Sequence, residues 1–223
     1  MTSYTFSKGP SVDSGWTAPL FLLLAAALVM AFLIPGFWRL ALLVGVIGLA
    51  CEIVGVHCGL PFGRYHYTAA LAPSILSAPV VIGCAWLILF AYVKQVLRVS
   101  RIPPKWMPLV GSGWMVALDL MIDPLASGPL GYWVWQNKGI YYGIPTINFV
   151  GWFLVSLALF FLLRQPWPVR KGVIWIGLSL ILFFTLIGLA RGILGAWLVG
   201  AGLCILHMLA IRSGIAATKR SLL

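Results

Sequence analysis

Residues 52–68 read EIVGVHCGLPFGRYHYT and lie between two long apolar runs. They hold Glu52, one of only four acidic residues in a 223-residue chain, and two of its three histidines, His57 and His66. Gly59, Pro61 and Gly63 make the segment compact, because glycine reaches backbone angles that other residues avoid and proline fixes its own. A shaped polar segment in this setting reads as one wall of a site at a membrane face. The second wall is expected from residues 117–124, which carry two more of the acids, Asp119 and Asp123.

The remaining composition supports the membrane. Hydrophobic residues make up 62% of the chain and charged residues 9%, far from the globular average. Several apolar runs reach the roughly 20 residues that a helix needs to cross hydrocarbon. The expected fold is all-α, a polytopic bundle of seven transmembrane helices near residues 17–34, 37–56, 78–97, 106–124, 146–163, 172–190 and 192–211. The first run is long for a signal-peptide core and has no small-residue cleavage site after it, so it reads as a span. A polar N-terminal tail (1–16) and a basic C-terminal tail (212–223) then flank one transmembrane domain (17–211). Cys51, Cys58, Cys84 and Cys204 form no Cys-x-x-Cys pair and read as small apolar residues.

The net charge is +11. The bases sit in short loops between apolar spans, which is the positive-inside pattern and argues against nucleic acid as a partner. On alternate sides, Arg39, Lys94, Arg98, Arg101, Lys105, Arg164, Arg170, Lys171, Arg212, Lys219 and Arg220 fall on one face. Lys8, Arg64, Lys138 and Arg191 fall on the other. The richer face is expected in the cytoplasm of a multi-pass cell-membrane protein, with the N-terminus outside and the C-terminus inside. Glu52, His57, Arg64, His66, Asp119, Asp123, Asn148 and Arg191 then gather at the outer face.

Asp119 and Asp123 stand four apart and share one helix face, about a turn from each other. Like charges at that spacing repel, so in a low-dielectric setting the pair is expected to keep a proton. If the helix ends at Pro124, Asp119 lies about 7 Å inside it at 1.5 Å per residue. Acids at that depth are usually functional. The plainer alternative is a cap or an ion pair, Asp123 with Arg64 or Arg191, and Glu52 with Arg64 or a histidine. His57 and His66 have the chemistry to ligate a metal with these carboxylates, but no His-x-x-x-His or Glu-x-x-His spacing appears and no metal is expected. His207, toward the cytoplasmic end of the last span, reads as a packing or interfacial residue.

Residues 128–152 hold Tyr132, Trp133, Trp135, Tyr141, Tyr142, Phe149 and Trp152. The stretch reads as a short hairpin around the Asn-Lys-Gly at 137–139. Such residues commonly form the interfacial belt. At this density, some are expected to line an electron-rich pocket able to steady a cation.

These motifs resemble the CruF-type carotenoid hydratases, a family of carotenoid biosynthesis membrane proteins. The resemblance rests on Glu52-Ile53-Val54-Gly55-Val56 and Gly59-Leu60-Pro61-Phe62-Gly63-Arg64-Tyr65-His66-Tyr67-Thr68. It continues in Ala117-Leu118-Asp119-Leu120-Met121-Ile122-Asp123-Pro124, Trp133-Val134-Trp135 and Gly139-Ile140-Tyr141-Tyr142-Gly143-Ile144-Pro145, and ends at Asn148-Phe149-Val150-Gly151-Trp152. It implies addition of water across the terminal C1,C2 double bond of an acyclic carotenoid ψ-end, giving a tertiary 1-hydroxy group without a cofactor. The partners it implies are a carotenoid substrate drawn from the bilayer and the membrane lipid around it, with other carotenoid-pathway enzymes as candidates.

Chemistry assigns the roles. An alkene is a poor base, so hydration needs a strong proton donor, and a carboxylic acid kept neutral by an apolar wall and a neighbouring carboxylate suits it. Asp119, the deeper acid, is expected to donate. Asp123 or Glu52 would hold the charge and position water, with His57 or His66 relaying protons. Arg64, Tyr65, Trp133, Trp135, Tyr141, Tyr142, Asn148 and Trp152 are the expected substrate-binding residues. A carotenoid cyclase would use the same protonation without adding water. A proton-coupled transporter needs polar residues through the whole bilayer, and the cytoplasmic halves of these spans are nearly free of acids. A non-catalytic carotenoid-binding protein is the remaining reading.

Overall fold

The computed structural model describes residues 15–34 and 36–220, with side-chain surroundings up to residue 214. The tail expected before residue 15, Pro35 of the first break, and residues 221–223 lie outside this set. The helices are α1 (Thr17–Leu33), α2 (Trp38–Cys58), α3 (Val80–Val99), α4 (Met107–Ala126), α5 (Thr146–Leu162), α6 (Lys171–Ala190) and α7 (Leu194–Arg220). Short strands β1 (Tyr65–Tyr67), β2 (Ser74–Ile75), β3 (Ala78–Pro79) and β4 (Trp133–Trp135) lie in the connections. Five helices are long and apolar enough to cross a membrane, and α1 and α5 are apolar helices of 17 residues. The chain is a polytopic all-α membrane protein, as its apolar runs predict. Leu20, Leu24 and Leu28 of α1 and Leu182, Leu186 and Leu189 of α6 stand exposed, the apolar outer surface of a bundle that faces lipid.

The axis of the bundle is α3. Every residue from Trp86 to Leu97 is buried, and α1, α2, α4, α6 and α7 all pack on this helix. It meets α2 at two glycines. A methyl on Gly83 would sit 2.8 Å from the Gly45 carbonyl oxygen, and one on Gly45 would sit 2.9 Å from that of Gly83. Small residues permit such close backbone approach between membrane helices. Gly83→Ala is therefore expected to destabilise the bundle by about 1–3 kcal/mol through overpacking. The measurement is the thermal midpoint in detergent, and an unchanged midpoint would mean that the crossing yields freely.

Polar groups on α3 tie down its neighbours. Lys94 Nζ donates to the carbonyl oxygens of Leu163 and Gln165. Gln95 Nε2 donates to the Pro168 carbonyl at 3.1 Å, and its Oε1 accepts from the Arg170 backbone N–H at 2.7 Å. These bonds fix the α5–α6 connection against the central helix. Tyr92 and His207 share a hydrogen bond of 2.9 Å between α3 and α7, so His207 is a buried packing residue.

Two of the helix ends that differ from the sequence reading carry structural information. The last helix continues to Arg220, so residues 212–220 of the expected basic tail are helical. More telling, α4 runs through Pro124 to Ala126. Proline has no N–H to offer the carbonyl four residues back, here Leu120, and that lost bond normally ends or kinks a helix. The Tyr141 hydroxyl replaces it, donating to the Leu120 carbonyl at 3.0 Å. A neighbouring side chain re-satisfies the freed group, which is how proline survives inside a membrane helix.

The polar segment after α2 begins at Gly59. Its φ of 71° is the left-handed conformation that closes a helix, and its N–H bonds the Gly55 carbonyl. The chain then enters β1, which pairs antiparallel with β4 in the register Tyr65↔Trp135, His66↔Val134, Tyr67↔Trp133. The hairpin expected within residues 128–152 is absent, since the partner of β4 is β1. Residues 139–144 instead fold on themselves through bridges at Gly139↔Gly143 and Tyr141↔Ile144. The physical reason is on the inner face of the sheet, where Tyr65 meets Trp135 at 5.0 Å and Tyr67 meets Trp133 at 5.9 Å between ring centroids. Cross-strand aromatic pairs are the stabilising unit of such a sheet. The two strands cover the end of the bundle where α2 and α4 finish and α3 and α5 begin.

Candidate active site

Strand alternation decides which side chains reach the bundle. Side chains two apart in a strand share a face, so Tyr65 and Tyr67 point inward while His66 is exposed. In β4, Trp133 and Trp135 point inward while Val134 is exposed. Below this sheet lie three buried acids, none more than 5% exposed: Glu52, Asp119 and Asp123.

Glu52 is six residues from the end of α2 and is held in an aromatic cage. Its Oε2 accepts from the Tyr65 hydroxyl at 2.5 Å and the Tyr67 hydroxyl at 2.8 Å. Its Oε1 accepts from Trp86 Nε1 of α3 at 3.0 Å. Burial first, and then the Glu52 carboxylate, push both tyrosine hydroxyls well above the usual phenol range. Both therefore stay protonated and remain donors.

Asp119 and Asp123 form the second centre, joined by one amide. Asn148 Nδ2 donates to Asp119 Oδ2 at 2.6 Å and to Asp123 Oδ2 at 2.9 Å. Asp123 Oδ1 accepts from Trp133 Nε1 at 2.8 Å and Trp135 Nε1 at 3.1 Å. Both oxygens of Asp123 are thus engaged. Asp119 Oδ1 takes part in no hydrogen bond among the described residues. Among the described residues, every side-chain donor to the three carboxylates is neutral, and Arg64 and Arg191 are exposed, so the ion pairs considered from the sequence do not form there.

A cavity of about 100 Å³ lies between the two centres, with Glu52, Asp119, Asp123 and Asn148 on its wall. Its polar end is boxed by rings, Trp86 stacking on Trp152 at 4.2 Å and 11° with Phe62 against both. Its other end is hydrocarbon, from Leu22 of α1, Leu89 of α3, and Leu180 and Phe184 of α6. The space suits a molecule with an apolar body whose tip meets acids. Faces of Trp and Tyr rings around that tip attract positive charge.

Of the residues singled out in the sequence, Glu52, Asp119, Asp123, Tyr65, Tyr132, Trp133, Trp135, Asn148 and Trp152 line this cavity. His57, His66, Arg64, Tyr141 and Tyr142 do not. His57 follows Glu52 by five residues, which turns it to another face of the helix, and it is exposed. His66 is on the outer face of β1. The histidine relay and the histidine–carboxylate metal site are both removed by that placement. The two tyrosines are structural. Tyr141 caps the Leu120 carbonyl, and the Tyr142 hydroxyl accepts from the Gly195 N–H at 2.8 Å, one of the amides that the first turn of α7 leaves unpaired. Burial and the adjacent Tyr142 push the Tyr141 hydroxyl up to about 12, so it stays a donor at physiological pH. Tyr141→Phe is expected to lower stability by about 1–3 kcal/mol by orphaning that carbonyl. A thermal midpoint equal to wild type would show that α4 does not need the cap.

Tyr67, Trp86 and Phe62 were missed. Tyr67 was legible, since it sits two residues from Tyr65 and must share its face. Trp86 was not, because nothing local links it to an acid 34 residues away.

The sequence profile of a family described as carotenoid biosynthesis protein matches residues 17–211 of this chain. Among characterised proteins, bisanhydrobacterioruberin hydratase of Haloarcula japonica is 31% identical to it over 117 residues. The match covers 49% of this chain and spans 39% of that relative's length. No solved structure matches it significantly.

Proposed function

This chain belongs to the carotenoid biosynthesis protein family, and from that premise we propose that it is a hydratase acting on the end of a carotenoid. The observation that carries the reading is Asp119. Its Oδ2 is fixed by Asn148, its Oδ1 is unengaged among the described residues, and the cavity it lines is otherwise apolar and aromatic. Two carboxylates tied to one amide in such a place hold one proton between them. Because Asp123 is already an acceptor at both oxygens, the proton belongs on Asp119.

The reaction follows from that placement. The terminal double bond of an acyclic carotenoid enters from the hydrocarbon end of the cavity. Asp119 Oδ1 gives its proton to C2 as the C1,C2 π electrons form the new C–H bond, leaving a tertiary cation at C1. Trp135 and Trp152, which line the cavity, are the rings that would steady it. A water oxygen bonds to C1 and loses a proton to Glu52, whose Oε1 accepts one hydrogen bond and has a lone pair to spare. Return of that proton to Asp119 closes the cycle, and the net change is one water added. No cofactor is needed by this sequence of steps. The relative's name supports hydration over cyclisation. We place the protein in the cell membrane, with the basic ends of its helices in the cytoplasm and the acids at the outer face.

The test is expression in cells that accumulate lycopene or γ-carotene, followed by mass analysis of the pigments. A product heavier by one water supports the reading. A new product of unchanged mass would identify a cyclase, and an unchanged pigment profile would favour carotenoid binding without chemistry.

A further inference from the structure

A second cavity, of about 260 Å³, lies at the opposite end of the bundle from the acids, lined by Lys94, Lys105, Arg164, Pro108 and Phe160 among others. Three elements bring these cations together: the last turns of α3, the α3–α4 connection, and the residues just beyond α5. Lys94 is only 6% exposed. Its ammonium gives two N–H groups to the carbonyls of Leu163 and Gln165, which leaves a third donor. The rings of Trp167 at 5.3 Å and Phe90 at 6.0 Å flank it. Arg164 lies over Phe161 at 4.7 Å and Lys105 over Trp106 at 5.8 Å. A buried cation is costly unless something of opposite charge answers it. The acids among the described residues, Glu52, Asp119 and Asp123, all belong to the other cavity. The amino terminus of α4, at Met107 and Pro108, also lines the pocket, and helix N-termini favour anions.

We propose that this pocket binds a phosphate group, supplied by the headgroup of an anionic phospholipid or by free phosphate. Arg164 and Lys105 grip the phosphate oxygens at the rim, and the third Lys94 donor meets it from inside. Lys94 lies five residues, about 7 Å, from the end of α3, a depth that an interfacial headgroup reaches from the side. Basic pockets between membrane helices recognise anionic headgroups by this chemistry. The site is independent of the reaction at the other end, so its test does not depend on activity.

The experiment is a thermal-unfolding series on the whole protein in neutral detergent, with dioleoyl phosphatidylglycerol, dioleoyl phosphatidylcholine or inorganic phosphate added. A ligand that binds only the folded state raises the midpoint with concentration. The expected result is a rise with phosphatidylglycerol and none with phosphatidylcholine. The rise should fall by at least half in the double variant Lys105→Ala/Arg164→Ala, whose side chains are exposed. The control Arg98→Ala/Arg101→Ala removes two exposed cations outside the pocket and should leave the rise intact. A matching rise with inorganic phosphate assigns the site to the free anion, whereas a rise with the lipid alone assigns it to the headgroup. No rise with either, or equal losses in the two double variants, overturns the proposal.

Discussion

Asp119→Asn is expected to lower hydration by about 10²–10⁴-fold, the usual contribution of a positioned proton donor, with little change in thermal midpoint. The substitution is nearly isosteric, and the neighbours decide its structural effect. Asp119 Oδ2 is an acceptor for Asn148, and an amide can keep its oxygen there while its NH₂ faces the cavity. What it cannot do is hand a proton to carbon. Asp123→Asn is a different experiment. Its Oδ1 accepts from two indole N–H groups and its Oδ2 from Asn148, so either orientation of the amide sets a donor against a donor. Asp123→Asn should therefore lose stability and activity together, whereas Asp119→Asn should lose activity alone. Hydration at the wild-type rate in Asp119→Asn would move the acid elsewhere.

The same contrast shows what the sequence could and could not reveal. Seven helices were legible because each is a long apolar run, with Lys and Arg gathered in the connections on one side, and hydrocarbon admits few alternatives. Glu52, Asp119 and Asp123 were legible because an acid in such a run is rare enough to stand out. The end of α4 was misjudged because the residue that permits Pro124 is Tyr141, in another connection. The hairpin was misread because β4 finds its partner far back in the chain, and local pattern carries no information about such pairing. The histidines drew attention by chemical type alone. Helix phase excludes His57 from the face of Glu52 and strand phase excludes His66, so both errors were avoidable. Trp86 was beyond reach, since only the packing of α2 on α3 brings it to Glu52.

Glu52 should be the most sensitive position for folding as well as for chemistry. Glu52→Leu would leave the hydroxyls of Tyr65 and Tyr67 and the indole N–H of Trp86 buried without their acceptor. Each orphaned donor costs about 1–3 kcal/mol, and the sum approaches the net stability of about 5–15 kcal/mol that holds a typical protein folded. The expected outcome is poor recovery of folded protein and a sharply lower midpoint. Glu52→Gln keeps one acceptor oxygen, so it should fold better while losing the base that takes the proton from water, with activity down about 10²-fold or more. A triple comparison separates structure from catalysis. If the cage is the cause, adding Tyr67→Phe to Glu52→Leu removes one orphan, and the pair is less damaging than the sum of the single changes. Strict additivity of the midpoints would mean that Tyr67 does not depend on Glu52. The β1–β4 sheet would then be held over the acids by its aromatic pairs alone.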